Sequence, residues 1–177
     1  MTETTVVALV GQGVETSRIA RALRELEREG HRRFRTLAVV EAHGSGGFVA
    51  RNADGVVELP EGLSLDQANR IAPLLEAEGV TVVVPGLGSS EPILPWAKRA
   101  EAEGWRLIGP SVACLRRWLD PLRLRETAQS LGIATVPWSG RVLHGLDEVR
   151  EHAARLGFPV LLRAPTAVQT GLGVARS

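Results

Sequence analysis

The sequence predicts an α/β fold: a doubly wound parallel sheet, followed by a smaller second segment. Three observations predict it. Short β-branched apolar runs recur at Val6–Val10, Arg35–Val40, Val56–Leu59 and Val80–Val84. Helical stretches separate most of them, with short connections. Strand and helix therefore alternate through the first 110 residues, the pattern of an open parallel sheet.

The first run, "VVALV", is apolar throughout, as expected for a strand covered on both faces. It leads into Gly11-Gln12-Gly13. "ETSRIARALRELEREG" then predicts an amphipathic helix. Ile19, Leu23 and Leu26 recur at helical steps, Thr16 or Ser17 caps the start, and Gly30 ends it. "RTLAVV" is the second strand. The stretch 41–55, "EAHGSGGFVARNADG", is rich in turn formers and predicts a loop before the third strand, Val56–Leu59. Ser64 and Gln67 match a capping box for the next helix, in which Pro73 predicts a kink or a split. Val80–Val84 is the fourth strand. A helix from about Pro92 to Glu103 stops at Gly104, and "WRLIGPS" is a strand ending in a turn.

After Ser111 the pattern changes. "VACLRRWL" is a short helix. The next, "DPLRLRETAQSLG", has Asp120 at its cap and Pro121 in its first turn, a favoured start. "IATVPW" is extended, "LDEVREHAARLG" is a helix ending at Gly157, and "FPVLLRA" is a strand. The boundary falls near residue 111, giving a domain over 1–110 and a second segment over 111–177.

Composition excludes several functions. A net charge of +1 and a pI near 8.1 give no electrostatic case for nucleic acid or a membrane surface. No apolar run approaches the about 18 residues that a membrane span needs, and "MTETT" lacks a signal pattern. The single cysteine, Cys114, excludes an internal disulfide and suits a reducing, cytoplasmic setting. His31, His43, His144 and His152 lack zinc-ligand spacing, so no metal site is expected. Lys98 is the only lysine, which excludes any mechanism needing a pair of them.

Gly11-Gln12-Gly13 sits where a dinucleotide fingerprint would, with Glu41 as a candidate ribose ligand. The third small position falls on Thr16, however, and Glu41 comes late. A tight turn with close helix–strand packing explains the glycines better. Trp96, Trp105, Trp118 and Trp138 each have apolar neighbours and are expected in core or interface packing. Arg116, Arg117, Arg123 and Arg125 are expected on a solvated helix face, and Asp120 at a cap rather than in acid catalysis.

Five motifs in one order carry a resemblance. They are "RIARALREL" (Arg18 to Leu26), "VVVPGLGSSEP" (Val82 to Pro92), "GWRLIGPS" (Gly104 to Ser111), "LGIATVP" (Leu131 to Pro137) and "GFPVLLRA" (Gly157 to Ala164). Together they resemble biotin carboxylase, over its N-terminal domain and the opening of its ATP-grasp domain. That family uses ATP and bicarbonate to carboxylate biotin carried on a partner protein. The resemblance implies an ATP site with two lysines, a glycine-rich loop and magnesium carboxylates.

The departures matter. Pro121 stands where the resemblance places the first lysine, and Arg163 where it places the second. The glycine run is replaced by "PTAVQTGLG", in which Gly171 and Gly173 survive while Thr166, Val168 and Gln169 would obstruct phosphate. Arg163, Gly171 and Gly173 are thus candidates for a degenerate ATP site, with no catalytic residue and no metal ligand. The family's magnesium carboxylates and bicarbonate base have no counterpart up to Ser177.

The expected function is a non-catalytic, biotin-carboxylase-like subunit or accessory domain of a biotin-dependent acyl-CoA carboxylase system. Two alternatives stand beside it: a fragment of an active ATP-dependent biotin carboxylase completed by another chain, and a small dinucleotide-binding oxidoreductase. No cofactor is expected for the isolated chain; ATP and magnesium enter only through the resemblance. The expected partner is a carboxylase subunit or a second copy. It should dock on residues 133–177, whose strand "FPVLLRA" has too little cover of its own.

Overall fold

The computed structural model describes residues 4–11, 13–30, 32–42, 47–86, 93–163 and 172–175. The chain divides into two compact units, 1–112 and 113–177.

Unit 1 is built on five parallel strands: β1 (Thr5–Val10), β2 (Phe34–Val40), β3 (Gly55–Glu58), β4 (Val82–Pro85) and β5 (Arg106–Leu107). Their order is β3-β2-β1-β4-β5. β1 lies at the centre, with Val7 beside Thr36 of β2 and Val82 of β4. The helices are α1 (Val14–Arg28), α2 (Gly47–Asn52), α3 (Ala68–Ala77) and α4 (Ile93–Glu103).

Both faces of the sheet are covered, which is why "VVALV" shows no polar alternation. Ala8 and Val10 join Leu37, Ile71, Leu75, Trp96 and Ala100 in the core under α3 and α4. Val7 and Leu9 join Ala20, Ala38 and Val49 in the core under α1 and α2. The Trp96 indole N–H donates to the Leu65 carbonyl at 2.7 Å, as a buried indole requires.

Four local expectations are corrected. α1 begins at Val14 with Gly13 at its cap, and neither Thr16 nor Ser17 caps it. Both lie inside the helix and are buried. Second, residues 47–52 within the expected loop form α2, because Val49 gains complete burial there. Third, Ser64 does not cap α3. The Leu65 N–H donates to Glu41, and the Leu65 carbonyl accepts from Trp96. These bonds tie down the preceding turn, and the helix starts at Ala68. Fourth, of the kink or split expected at Pro73, the split does not occur: α3 is one helix through it.

Asp54 staples β2 to the turn before β3. The Thr36 N–H and hydroxyl donate to Asp54 Oδ2 at 2.8 and 2.7 Å, and Arg24 lies 3.6 Å from Oδ1. Burial alone would raise the Asp54 pKa. The two Thr36 donors and the Arg24 charge outweigh it and hold the carboxyl below its ordinary 3.8. A lowered native pKa stabilises the fold above the unfolded value and is lost as pH falls through the native one. The melting temperature should therefore fall below about pH 4, and Asp54→Asn should flatten that fall while lowering stability at neutral pH. The carboxylate is 43% exposed, so the expected loss is about 1 kcal/mol or less. A thermal melt series from neutral to acid pH checks it; identical pH profiles would refute it.

Unit 2 carries α5 (Val112–Trp118), which begins at the boundary, then α6 (Pro121–Ser130), α7 (Leu146–Leu156) and an antiparallel hairpin of β6 (Val160–Arg163) and β7 (Leu172–Ala175). Asp120 caps α6 as expected, its carboxylate accepting from the N–H groups of Leu122 and Arg123. Among the described residues of 113–177, only Leu115, His152 and Ala153 are buried. Leu161 and Val174 on the hairpin are each 61% exposed.

Candidate functional site

Two places carry the predicted functional residues, one in each unit. In unit 1 it is the carboxyl end of the sheet between β1 and β4, where the strand order reverses. Open α/β sheets place ligands at such a switch point. Gly11 leaves β1 buried, at φ +138°, a conformation side chains rarely adopt. The Gly86 N–H donates to the Val10 carbonyl at 2.5 Å and ties the ends of the two strands together.

The residues nominated for a dinucleotide do not converge on a ligand there. Thr16 is buried in the body of α1, so its branched side chain occupies the space that a fingerprint's third small residue leaves open. Glu41 Oε1 accepts the Leu65 N–H at 2.9 Å and is committed to the fold. The glycines serve the turn, and the oxidoreductase alternative is not favoured. Gln12 lies outside the described residues.

In unit 2 the hairpin brings Arg163 and Gly173 to neighbouring positions. Arg163 lies opposite Leu172, and Leu162 opposite Gly173. A Cβ at Gly173 would meet nothing within 4 Å, so this backbone is open. The Arg163 side chain is exposed. Gly171 and the stretch with Thr166, Val168 and Gln169 lie outside the described residues. Pro121 is the first residue of α6, beside the Asp120 cap.

The tryptophans divide. Trp96 is in the core and Trp105 packs against it. Trp138 has the Arg125 guanidinium 5.6 Å from its ring centre. Trp118 is 66% exposed and is therefore not part of the core. Arg116, Arg117 and Arg123 are exposed, as a solvated helix face requires.

Sequence inspection missed one charged group. Glu148 takes both guanidinium nitrogens of Arg141 at 3.1 Å and the His144 N–H at 2.7 Å. Arg141 first, then the His144 N–H, hold its carboxyl down to about 2. The signal was a glutamate at the third position of α7, which reaches back to a free N–H before the helix. Its work is to anchor the start of α7.

The comparisons with known proteins agree with this architecture. The family model described as "Biotin carboxylase, N-terminal domain" matches residues 3–115. Mitochondrial pyruvate carboxylase of Rattus norvegicus is 28% identical over 162 residues, which is 89% of this chain and 13% of that protein. The 2-oxoglutarate carboxylase small subunit of Hydrogenobacter thermophilus is 32% identical over 97 residues, 55% of this chain and 21% of the subunit. The solved biotin carboxylase domain dimer of the Hydrogenobacter enzyme, in complex with MgADP, ADP and bicarbonate, superposes with a TM-score of 0.75 at 25% identity. It covers 99% of this chain and 38% of its own. The chain thus spans a minor part of the proteins it matches. No helix among the described residues is long and apolar enough to cross a membrane. With the family model covering well over half of its residues, the chain belongs to the biotin carboxylase N-terminal domain family.

Proposed function

We propose that this chain acts as a non-catalytic, biotin-carboxylase-like subunit or accessory domain within a biotin-dependent carboxylase assembly. The observation that carries this is the start of α6. Where the family resemblance places a phosphate-binding lysine, the chain has Pro121, preceded by the Asp120 carboxylate bonded to the helix N–H groups. Proline brings no cation and no side-chain donor. Arg163 keeps a charge at the second position, but as a planar fork rather than a compact ammonium. The open apolar surface of unit 2 supports docking on a carboxylase subunit or a second copy.

A charge-assisted contact to phosphate contributes about 1.5–3 kcal/mol. Losing one such contact and altering another should weaken ATP at least about tenfold. Calorimetry with ATP and magnesium is expected to show binding no tighter than about millimolar and no turnover. A dissociation constant in the low micromolar range would sink the proposal.

A further inference from the structure

Asp54–Gly55 is the one place in the chain where an aspartate or asparagine precedes a glycine. We propose that this dipeptide is a latent modification site, where the backbone isomerises to isoaspartate, and that Thr36 holds it closed in the folded protein.

The chemistry needs only the two residues and water. The Gly55 main-chain nitrogen attacks the side-chain carboxyl carbon of Asp54. A nitrogen–carbon bond forms, and one carboxyl oxygen leaves as water with the amide and acid protons. The product is a cyclic imide. Water then adds to one of its two carbonyls and reopens the ring. Opening at the side-chain carbonyl restores aspartate. Opening at the main-chain carbonyl leaves the chain linked through the side chain, with one more carbon in the backbone and a free carboxylate. Nothing is oxidised or reduced. Glycine favours the attack because it has no side chain to shield its nitrogen.

Three features carry the proposal. The first is that the fold keeps the glycine. A Cβ at position 55 would lie 2.8 Å from Leu37 Cδ2. Leu37 is 1% exposed in the core, and a close-packed side chain has little room to retreat. The second is an element that opens easily. β3 has four residues, lies at the edge of the sheet with β2 as its one neighbour, and leaves Val56 51% exposed. It follows α2, a helix of six residues. Short edge elements open locally at less than the free energy of global unfolding.

The third is the clasp on Thr36. The Asp54 N–H donates to the Thr36 carbonyl at 2.9 Å and to its hydroxyl at 3.1 Å. The hydroxyl donates to Asp54 Oδ2 at 2.7 Å, and the Thr36 N–H donates to the same oxygen at 2.8 Å. Thr36 is buried on β2 and pairs with Val7 of the central strand, so the anchor is firm. Main chain and side chain of Asp54 are both fixed to it, and the rotations that close the ring must free them. The clasp also acts through charge. Burial favours the neutral acid, but the Thr36 donors and then the Arg24 charge outweigh it and keep the carboxyl ionised. An ionised carboxylate is a poor acyl acceptor, because its departing oxygen lacks a proton. Once formed, isoaspartate would lengthen the backbone just ahead of the Leu37–Gly55 pairing and disturb the register of β3 on β2.

The test is incubation of the whole chain in warm, near-neutral buffer made with water enriched in the heavy oxygen isotope, with and without urea. Each passage through the imide places heavy oxygen in the tryptic peptide from Asn52 to Arg70, which mass spectrometry reads; chromatography separates its isoaspartyl form. Labelling is expected about a hundredfold more slowly in the native chain than in urea. Thr36→Val removes the hydroxyl at nearly constant volume and should speed native labelling about tenfold. Thr36→Ser keeps the hydroxyl and should stay near wild type. Thr36→Ala makes the same removal without a branched side chain and replaces the valine variant if circular dichroism shows that variant unfolded. Native labelling as fast as in urea overturns the proposal, as does no labelling in urea. So does a folded variant without the hydroxyl that labels no faster than wild type.

Discussion

Replacing Trp96 by alanine is expected to cost unit 1 about 3–5 kcal/mol, the range for removing a large aromatic side chain from a core. The indole is 1% exposed and lies within the cluster that holds Ile71, Leu75 and Ala100 between the sheet and its two covering helices. It is also the partner of the Leu65 carbonyl. Its loss opens a cavity and strands that acceptor at once. Against a total margin of about 5–15 kcal/mol, a substantial share of the stability of the unit is at stake. Trp96→Phe separates the two effects: it keeps most of the volume and should cost about 1–3 kcal/mol, chiefly from the unpaired carbonyl. Urea unfolding followed by circular dichroism measures both. A loss under about 1 kcal/mol for Trp96→Ala would show that the α4 side of the core does not depend on this residue.

Replacing Leu161 by aspartate is expected to abolish the association of unit 2. Leu161, Leu162 and Val174 all lie exposed on the β6–β7 hairpin, and Phe158 and Ile133 are exposed as well. Two-stranded hairpins are marginal in water unless another element covers them. Covering one leucine contributes about 1.5–3 kcal/mol, and an aspartate adds a desolvation cost, so affinity should drop about a hundredfold or more. Light scattering coupled to size exclusion reads the outcome for the full chain. A wild-type dimer or complex that Leu161→Asp returns to monomer supports docking through this surface. A wild-type chain that stays monomeric, with unit 2 resistant to protease and no partner, counts against it.

Much of the fold was legible in the residues alone. The runs at the heart of β1, β2 and β4 stand out because strand positions buried on both faces are filled mostly by apolar residues. The helix ends at Gly30, Gly104 and Gly157 were legible because positive φ is a local property of the chain; these glycines have φ of 79°, 70° and 84°. The Asp120–Pro121 start of α6 was legible for the same reason, since a cap reaches only two or three residues. The family was legible because its motifs are short and keep their order.

What the residues alone left open depends on partners far away in the chain. Glu41 looks free for a ribose until Leu65, 24 residues on, takes its carboxylate. Ser64 looks like a cap until Glu41 and Trp96 tie the adjacent backbone and delay α3 to Ala68. Residues 47–52 read as loop by composition, yet the space offered to Val49 beside α1 and β2 makes them a helix. Thr16 and Ser17 have the chemistry of caps, but packing against the sheet draws them inside α1. Capping, turn and periodicity rules reach about four residues, so sequence by itself determined most of the strands, the helix ends marked by glycine and the family. Burial and long-range hydrogen bonds act across the sheet and between helices. They alone decided which polar groups serve the fold.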